Sequence, residues 1–195
     1  DGLRARYALL SQEAARRKIP VKVHTGMEIF ATAELPDLLT EGRVWTLAHT
    51  KYFLTEFAFS EDPAFCAGIL EACREAGFMP VIAHPERYYF IQDDPSVAYW
   101  WCRAGYALQI NKGSILGHFG RGPERTARLL LDHGLAACIA SDAHGTRYRT
   151  PFMGEVHEAL EEGYGPEYAE LLTELNPKRI LEGKPLLGYE PVPFR

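Results

Sequence analysis

The 195-residue chain lacks the signals of several large functional classes. It has no Cys-x-x-Cys pair. Its four cysteines, Cys66, Cys73, Cys102 and Cys138, each sit in an apolar context, which fits buried free thiols in a reducing compartment rather than a zinc site or a disulfide framework. None has an arginine six residues downstream; those positions are Ala72, Met79, Leu108 and His144, so a cysteine-dependent tyrosine phosphatase is excluded on spacing. The G-x-G-x-x-G and G-x-x-x-x-G-K-[ST] phosphate loops are absent, which argues against a nucleotide-binding fold. So is the G-x-S-x-G elbow of serine hydrolases. No apolar run reaches membrane-spanning length and no signal peptide is visible, so a cytoplasmic protein is expected. A basic surplus is missing too: the formal net charge is −5, which argues against a duplex nucleic-acid partner. The densest basic run, Arg16, Arg17 and Lys18, reads as a solvated helix end.

What is present suits one well-cored domain. Hydrophobic residues make up 47% and charged residues 24%, within the range of globular proteins. Short apolar runs at 21–30, 44–47, 52–59, 79–83, 107–110 and 135–140 read as strands. They alternate with helical stretches at 3–18, 35–39, 63–77, 95–104, 123–133, 151–163, 166–175 and 177–183. Several of these open on proline and close on glycine, the usual asymmetry of helix ends. The proline-rich tail from Lys184 is expected on the surface. This alternation predicts an α/β fold with a mainly parallel sheet, and both a barrel and an open doubly wound sheet fit it. No repeat or linker divides the chain, so 1–195 is read as a single domain. The chain opens on Asp-Gly-Leu rather than Met, and its first segment reads as a mid-domain helix, so a segment removed upstream is expected.

In parallel α/β folds the working groups stand where strands end. Here those ends carry Glu28, Glu56, His84, Asp142 and His144. Glu56, flanked by Phe53, Leu54, Phe57 and Phe59, is expected to be buried, and a buried carboxylate needs an arginine, backbone amides or a metal. Asp142 and His144, two apart, can point the same way and share one ion. Carboxylate and imidazole donors without thiolate suit manganese, iron or zinc, and several acids allow more than one ion. Paired ions can activate water and hold both oxygens of a phosphoryl displacement. Arg87 and Arg149 follow the two histidines and are placed to face the same pocket, where a guanidinium fork would bind phosphate. Each feature alone has an ordinary reading: a hydrogen-bonded structural histidine at 84, a Glu56–Arg87 ion pair, a helix-capping turn at 141–144. Their recurrence at successive strand ends favours a metal site.

The same residues carry a resemblance. Gly-Met-Glu at 26–28, Thr-Glu-Phe at 55–57, Ala-His-Pro-Glu-Arg at 83–87, Gln-Ile-Asn-Lys-Gly-Ser at 109–114 and Ser-Asp-Ala-His at 141–144 resemble the polymerase-and-histidinol-phosphatase (PHP) superfamily. Within it they resemble the CpsB/CapC-type bacterial tyrosine phosphatases, as does Leu-Asn-Pro at 175–177. The resemblance runs from about residue 20 to residue 183. It implies a distorted (β/α)7 barrel with two or three divalent ions, usually Mn2+, with Fe or Zn as alternatives. Carried over, it makes Glu28 a bridging ligand, assigns Glu56 and His84 to one ion and Asp142 and His144 to another, and gives Arg87 and Arg149 the phosphate of phosphotyrosine. Water activated by metal would attack phosphorus without a covalent enzyme intermediate. The substrate would be the phosphotyrosine-bearing tail of a bacterial tyrosine kinase that controls capsular or exopolysaccharide export.

The sequence departs from this pattern in one respect. The His-x-His motif of the family's first strand, and the acid and histidine that follow it, have no counterpart here. The expected fold is therefore a PHP barrel lacking its opening strands. The chain is either an N-terminally incomplete enzyme or a PHP-like module that has lost catalysis and binds. A histidinol phosphatase or polymerase-associated nuclease is the remaining alternative, opposed by the negative charge and by the stretch from Gln109 to Gly117.

Overall fold

Apolar runs of three to five residues, separated by amphipathic stretches with proline and glycine at their ends, produce the alternation of strand and helix seen in the structure, a computed structural model that describes residues 2–188 and 190–194. In chain order the elements are α1 (Gly2–Arg16), β1 (Glu28–Phe30), α2 (Leu35–Thr40), β2 (Tyr52–Glu56), α3 (Pro63–Glu75), β3 (Met79–Ala83), α4 (Tyr89–Asp93) and α5 (Ser96–Arg103). Then follow β4 (Ala107–Asn111), α6 (Lys112–Ile115), α7 (Arg121–Asp132), β5 (Cys138–Ala140), α8 (Gly154–Tyr164), α9 (Pro166–Glu170) and α10 (Asn176–Leu181). Helix α3 shows how the sequence sets these boundaries. Asp62 Oδ1 accepts the Ala64 N–H at 2.7 Å, Pro63 occupies the first turn, and Gly77 leaves the helix at φ +91°.

The five strands form one sheet in the order β1-β2-β3-β4-β5, every neighbouring pair parallel. Alternation along the strands gives the sheet two unlike faces. Ile29, Phe53, Ile82, Leu108, Ile110 and Ile139 face the helices and join the main core with Leu70 of α3, Leu130 of α7 and Leu160 of α8. On the other face Tyr52, Val81, Ala107 and Cys138 form a small second core closed by Ile180 of α10. Toward the strand C-termini this second face becomes polar, because Glu28 and Glu56 fall on it, out of phase with Ile29 and Thr55. Thr55 is itself buried and donates its hydroxyl to Ile29 O at 2.9 Å, tying β2 to β1.

Asn176 secures the far edge. It is fully buried; its amide donates to Ala137 O at 2.9 Å and Leu187 O at 2.8 Å, and its oxygen accepts from Leu187 N at 2.9 Å. The described part of the tail lies on the surface, as its composition suggests, and Phe194 stacks on His133.

Several expected boundaries shift. The strand read at 21–30 pairs only over Glu28–Phe30, because among the described residues β1 is an edge with nothing on its outer side. The run at 135–140 pairs only over Cys138–Ala140. Residues 44–47 are not a strand; they lead into a 3-10 turn at Leu47–His49. The helix read at 166–175 widens into a π-helical turn at Leu171–Leu175, where Thr173 Oγ1 bonds back to Ala169 O and Pro177 lacks a donor for the next turn. Helix α1 forms where periodicity places it, but none of its described residues is buried, and its Tyr7 hydroxyl donates to Val23 O at 3.3 Å.

Candidate functional site

The site grows from the first residue of β1 and the C-terminal ends of β2 and β3. Glu28 opens β1, Glu56 closes β2, and their carboxylates meet His84, the first residue beyond β3. His84 Nε2 lies 3.2 Å from Glu28 Oε1 and 3.2 Å from Glu56 Oε2. All three donor atoms fall within 4.8 Å of one another. Two donors about 2.1 Å from a shared ion stand roughly 3.0–3.4 Å apart at octahedral or tetrahedral angles, so the spacing and the donor types fit a divalent cation.

The local sequence explains this placement. The His84 N–H extends the sheet ladder to Gln109 O at 2.8 Å, after which the backbone turns left-handed at φ 38° to deliver the imidazole. A non-glycine residue there is strained, a feature that concentrates at functional sites. Pro85 then starts a tight turn through Arg87. The imidazole is buried and walled edge-on by Phe59 and Tyr88, each ring centroid 5.9 Å away. Tyr88 is fixed in turn, donating to Ala83 O at 2.9 Å and accepting from Phe57 N at 3.2 Å.

Glu56 differs from its expected environment. It is about one-third exposed rather than buried, and its partner is His84, not Arg87. The aromatic neighbours in sequence misled because strand alternation sends Phe53, Thr55 and Phe57 to the helix side while Glu56 points to the open face.

Asp142 and His144 form a second carboxylate–imidazole pair, outside the group of three. Asp142 sits left-handed at φ 47°, with its side chain only 9% exposed. Its Oδ2 accepts from Asn111 Nδ2 at 2.7 Å and from the Arg149 guanidinium. His144 is exposed, with Nδ1 3.5 Å from Asp142 Oδ1. Its segment caps no helix; residues 141–153 form an open loop before α8. Arg87 and Arg149 both lie against the ring of Phe119, their guanidinium carbons 4.8 Å and 5.6 Å from its centroid. Phe119 and Arg149 also line a cavity of about 420 Å3 with Lys112, Arg147, Tyr148 and Phe152. Buried Lys112 anchors the loop that closes it, donating to Thr150 O and Phe152 O at 2.5 Å each.

A buried polar strut joins the two halves of the site. Glu86 is fully buried; its Oε1 accepts from Ser114 Oγ at 2.6 Å and Asn111 N at 3.2 Å. Asn111 then reaches Asp142. Burial pushes the Glu86 carboxyl up to about 7, against the opposing pull of these donors. His84 Nδ1, Glu86 Oε2 and Asn111 Oδ1 are buried without hydrogen-bond partners, three orphaned polar atoms along this one strut. Sequence reasoning did not single out Glu86, Asn111, Ser114 or Phe119. The first three stood inside the quoted motifs, where polar residues amid buried positions were the available signal.

Residues 1–182 match the family described as capsular polysaccharide synthesis, CpsB/CapC. The tyrosine-protein phosphatase YwqE of Bacillus subtilis is 32% identical over 186 residues, covering 95% of this chain and 73% of that protein. The tyrosine-protein phosphatase CpsB of Streptococcus agalactiae is 28% identical over 181 residues, covering 90% and 74%. A solved structure from work on YwqE of Bacillus subtilis and CpsB of Streptococcus pneumoniae, described as metal-dependent tyrosine phosphatases, superimposes with a TM-score of 0.89 at 31% identity. That match covers 96% of this chain and 76% of the other.

Proposed function

The chain belongs to the CpsB/CapC family of capsular polysaccharide synthesis, and from that premise we propose that it is a metal-dependent protein-tyrosine phosphatase, a phosphoric monoester hydrolase acting in capsule or exopolysaccharide regulation. The observation that carries this reading is the convergence of Glu28, Glu56 and His84 at one strand-end edge. On this reading these three hold one divalent ion, with Mn2+ the preferred identity, and Asp142 with His144 serves a second. The chemistry such ions supply when bound is polarisation of phosphoryl oxygens and activation of a water nucleophile.

The chain's own residues do the rest. Arg87 and Arg149 take the non-bridging oxygens of the phosphate through in-plane N–H donors and offset the charge that gathers there. Asp142 orients Arg149 through Oδ2. Phe119, Tyr148 and Phe152 give the adjoining cavity apolar walls of a kind that suits an aryl leaving group. No cysteine takes part: burial holds all four thiols near 12, far from the thiolate state.

The same reading treats the chain as one PHP-type domain, its parallel sheet forming an arc of a distorted (β/α)7 barrel, and places it in the cytoplasm. Among the described residues no helix is long and apolar enough to cross a membrane. The partner is the phosphotyrosine-bearing tail of a bacterial tyrosine kinase. The test is release of phosphate from a phosphotyrosine peptide, compared with histidinol phosphate and single-stranded DNA. Mn2+-dependent turnover of the peptide that survives thiol alkylation supports the proposal. Activity abolished by alkylation but indifferent to chelation refutes it.

A further inference from the structure

The environment of Arg87 is unusual for an arginine in a polar site. Among the described residues its side chain has neither a hydrogen-bond acceptor nor an ion-pair partner. Instead its guanidinium carbon lies 4.5 Å from the ring centroid of Phe59 and 4.8 Å from that of Phe119. Both distances lie inside the range of cation–π attraction. The ring of Phe119 also meets Arg149, at 5.6 Å. Resting on the phosphate role proposed above for the two arginines, we propose that Phe119 is a positioning residue that sets both for anion binding.

The physical reason lies in which part of the guanidinium each kind of partner uses. A carboxylate takes the in-plane N–H donors, the same edge that must reach phosphate. A phenyl ring takes the π face and leaves all five donors free. Arg87 is thus held in place with its binding edge unspent, whereas Arg149 is steadied by Asp142 and touches Phe119 as well.

The chain makes room for this ring. A Cβ on Gly113 would stand 2.7 Å and 2.8 Å from two Phe119 ring carbons, closer than carbon atoms approach. Gly117 and Gly120, at φ +75° and +92°, bracket the ring in backbone conformations that side-chain-bearing residues rarely adopt. The segment Gly113 to Gly120 is therefore shaped around Phe119 between the two arginines.

The test uses orthophosphate as the probe, titrated calorimetrically into the Mn2+-loaded protein. Phe119→Leu keeps an apolar side chain but removes the ring face. It is expected to weaken orthophosphate binding roughly 5- to 30-fold, the loss of two cation–π contacts, with Mn2+ affinity unchanged and the fold retained. Gly113→Ala displaces the same ring and is expected to act in the same direction. In an Arg87→Ala background the Arg87 share of the Phe119→Leu effect disappears, as it must if the ring works through the guanidinium. In the metal-free wild-type protein the Arg87 Nε–H proton signal carries a ring-current shift that Phe119→Leu reduces, a readout that needs no ligand. Unchanged phosphate affinity in Phe119→Leu, with affinity lost in Arg87→Ala, overturns this inference alone. Unchanged affinity in both Arg87→Ala and Arg149→Ala overturns the phosphate-site reading and the inference with it. An unshifted Arg87 signal in the wild-type protein overturns the inference even if no variant folds.

Discussion

Replacing Glu86 by Gln is expected to stabilise the metal-free protein at pH 8 and to leave it nearly unchanged at pH 4.5. Glu86 is wholly buried, and burial raises its carboxyl from 4.5 to about 7 in the folded chain. The folded state therefore keeps a proton that the unfolded chain releases between these values. Stability from this group is fully present below pH 4.5 and is lost as pH rises through about 7. The difference corresponds to about 3 kcal/mol across the window. Gln is neutral throughout, and its Oε1 can accept the same donors, Ser114 Oγ and Asn111 N. Urea unfolding with chelator present, at intervals from pH 4.5 to 8, would follow the two proteins. The wild-type midpoint should fall relative to Glu86→Gln as pH rises, with the slope of each transition unchanged. Parallel curves, or a Gln variant destabilised equally at every pH, would show that the buried carboxyl is not neutral at the acid end and refute the reasoning.

Other consequences can be measured directly. His84→Ala removes the imidazole between two carboxylates, so calorimetry should show Mn2+ affinity falling by more than the 10- to 100-fold typical of losing an outer-shell partner. Cys66, Cys73, Cys102 and Cys138, held near 12 by burial, should resist a disulfide reagent at pH 8 in the folded protein and react together once urea is added. The same raised values mean that thiol burial contributes stability below pH 9 that is lost as pH climbs toward 12. Asn176→Ala strands the carbonyls of Ala137 and Leu187 and the Leu187 N–H. It should cost about 2–4 kcal/mol in urea unfolding, with Mn2+ affinity unaffected; a cost below 1 kcal/mol would mean that water replaces these bonds.

The sequence made the alternating fold legible wherever an apolar run was short and bounded. The runs at 79–83 and 107–110 became β3 and β4, and 63–77 became α3, because Pro63, Asp62 and Gly77 act through local geometry. It was less informative where a neighbouring strand decides the outcome. Residues 21–27 have the composition of a strand, but strand pairing is confined to Glu28–Phe30, which meets β2. Phe119 was illegible for a different reason. Nothing about a phenylalanine in a glycine-rich loop says that two arginines from segments 32 residues before and 30 after will lie on it; the long-range fold brings those rings and cations together. Family membership and the metal-dependent phosphatase reading, in contrast, were legible because the strand-end motifs keep chemistry and spacing together.

Backbone strain gives an independent reason to regard the strand ends as one site. Six described non-glycine residues have positive φ, and three of them are His84, Asp142 and Arg149. Each such conformation costs of order 1–2 kcal/mol relative to glycine. A fold shaped only for stability would place glycine at all three, as this chain does after α3 and α7, where Gly77 and Gly134 close helices. At His84 and Asp142, just beyond β3 and β5, and at Arg149 in the following loop, the left-handed turn is retained together with the polar side chain. His84 gains a position between Glu28 and Glu56, and Asp142 gains Asn111 and Arg149. The two clusters are then linked through Glu86 and Asn111, which are buried and cannot shift without stranding the Ser114 hydroxyl, the Asn111 N–H or the Asn111–Asp142 bond. Strain at the ends and rigidity between them hold the donor groups in register before any ligand arrives. That arrangement keeps the reorganisation needed at the moment of binding small, which is what electrostatic catalysis at a phosphate requires.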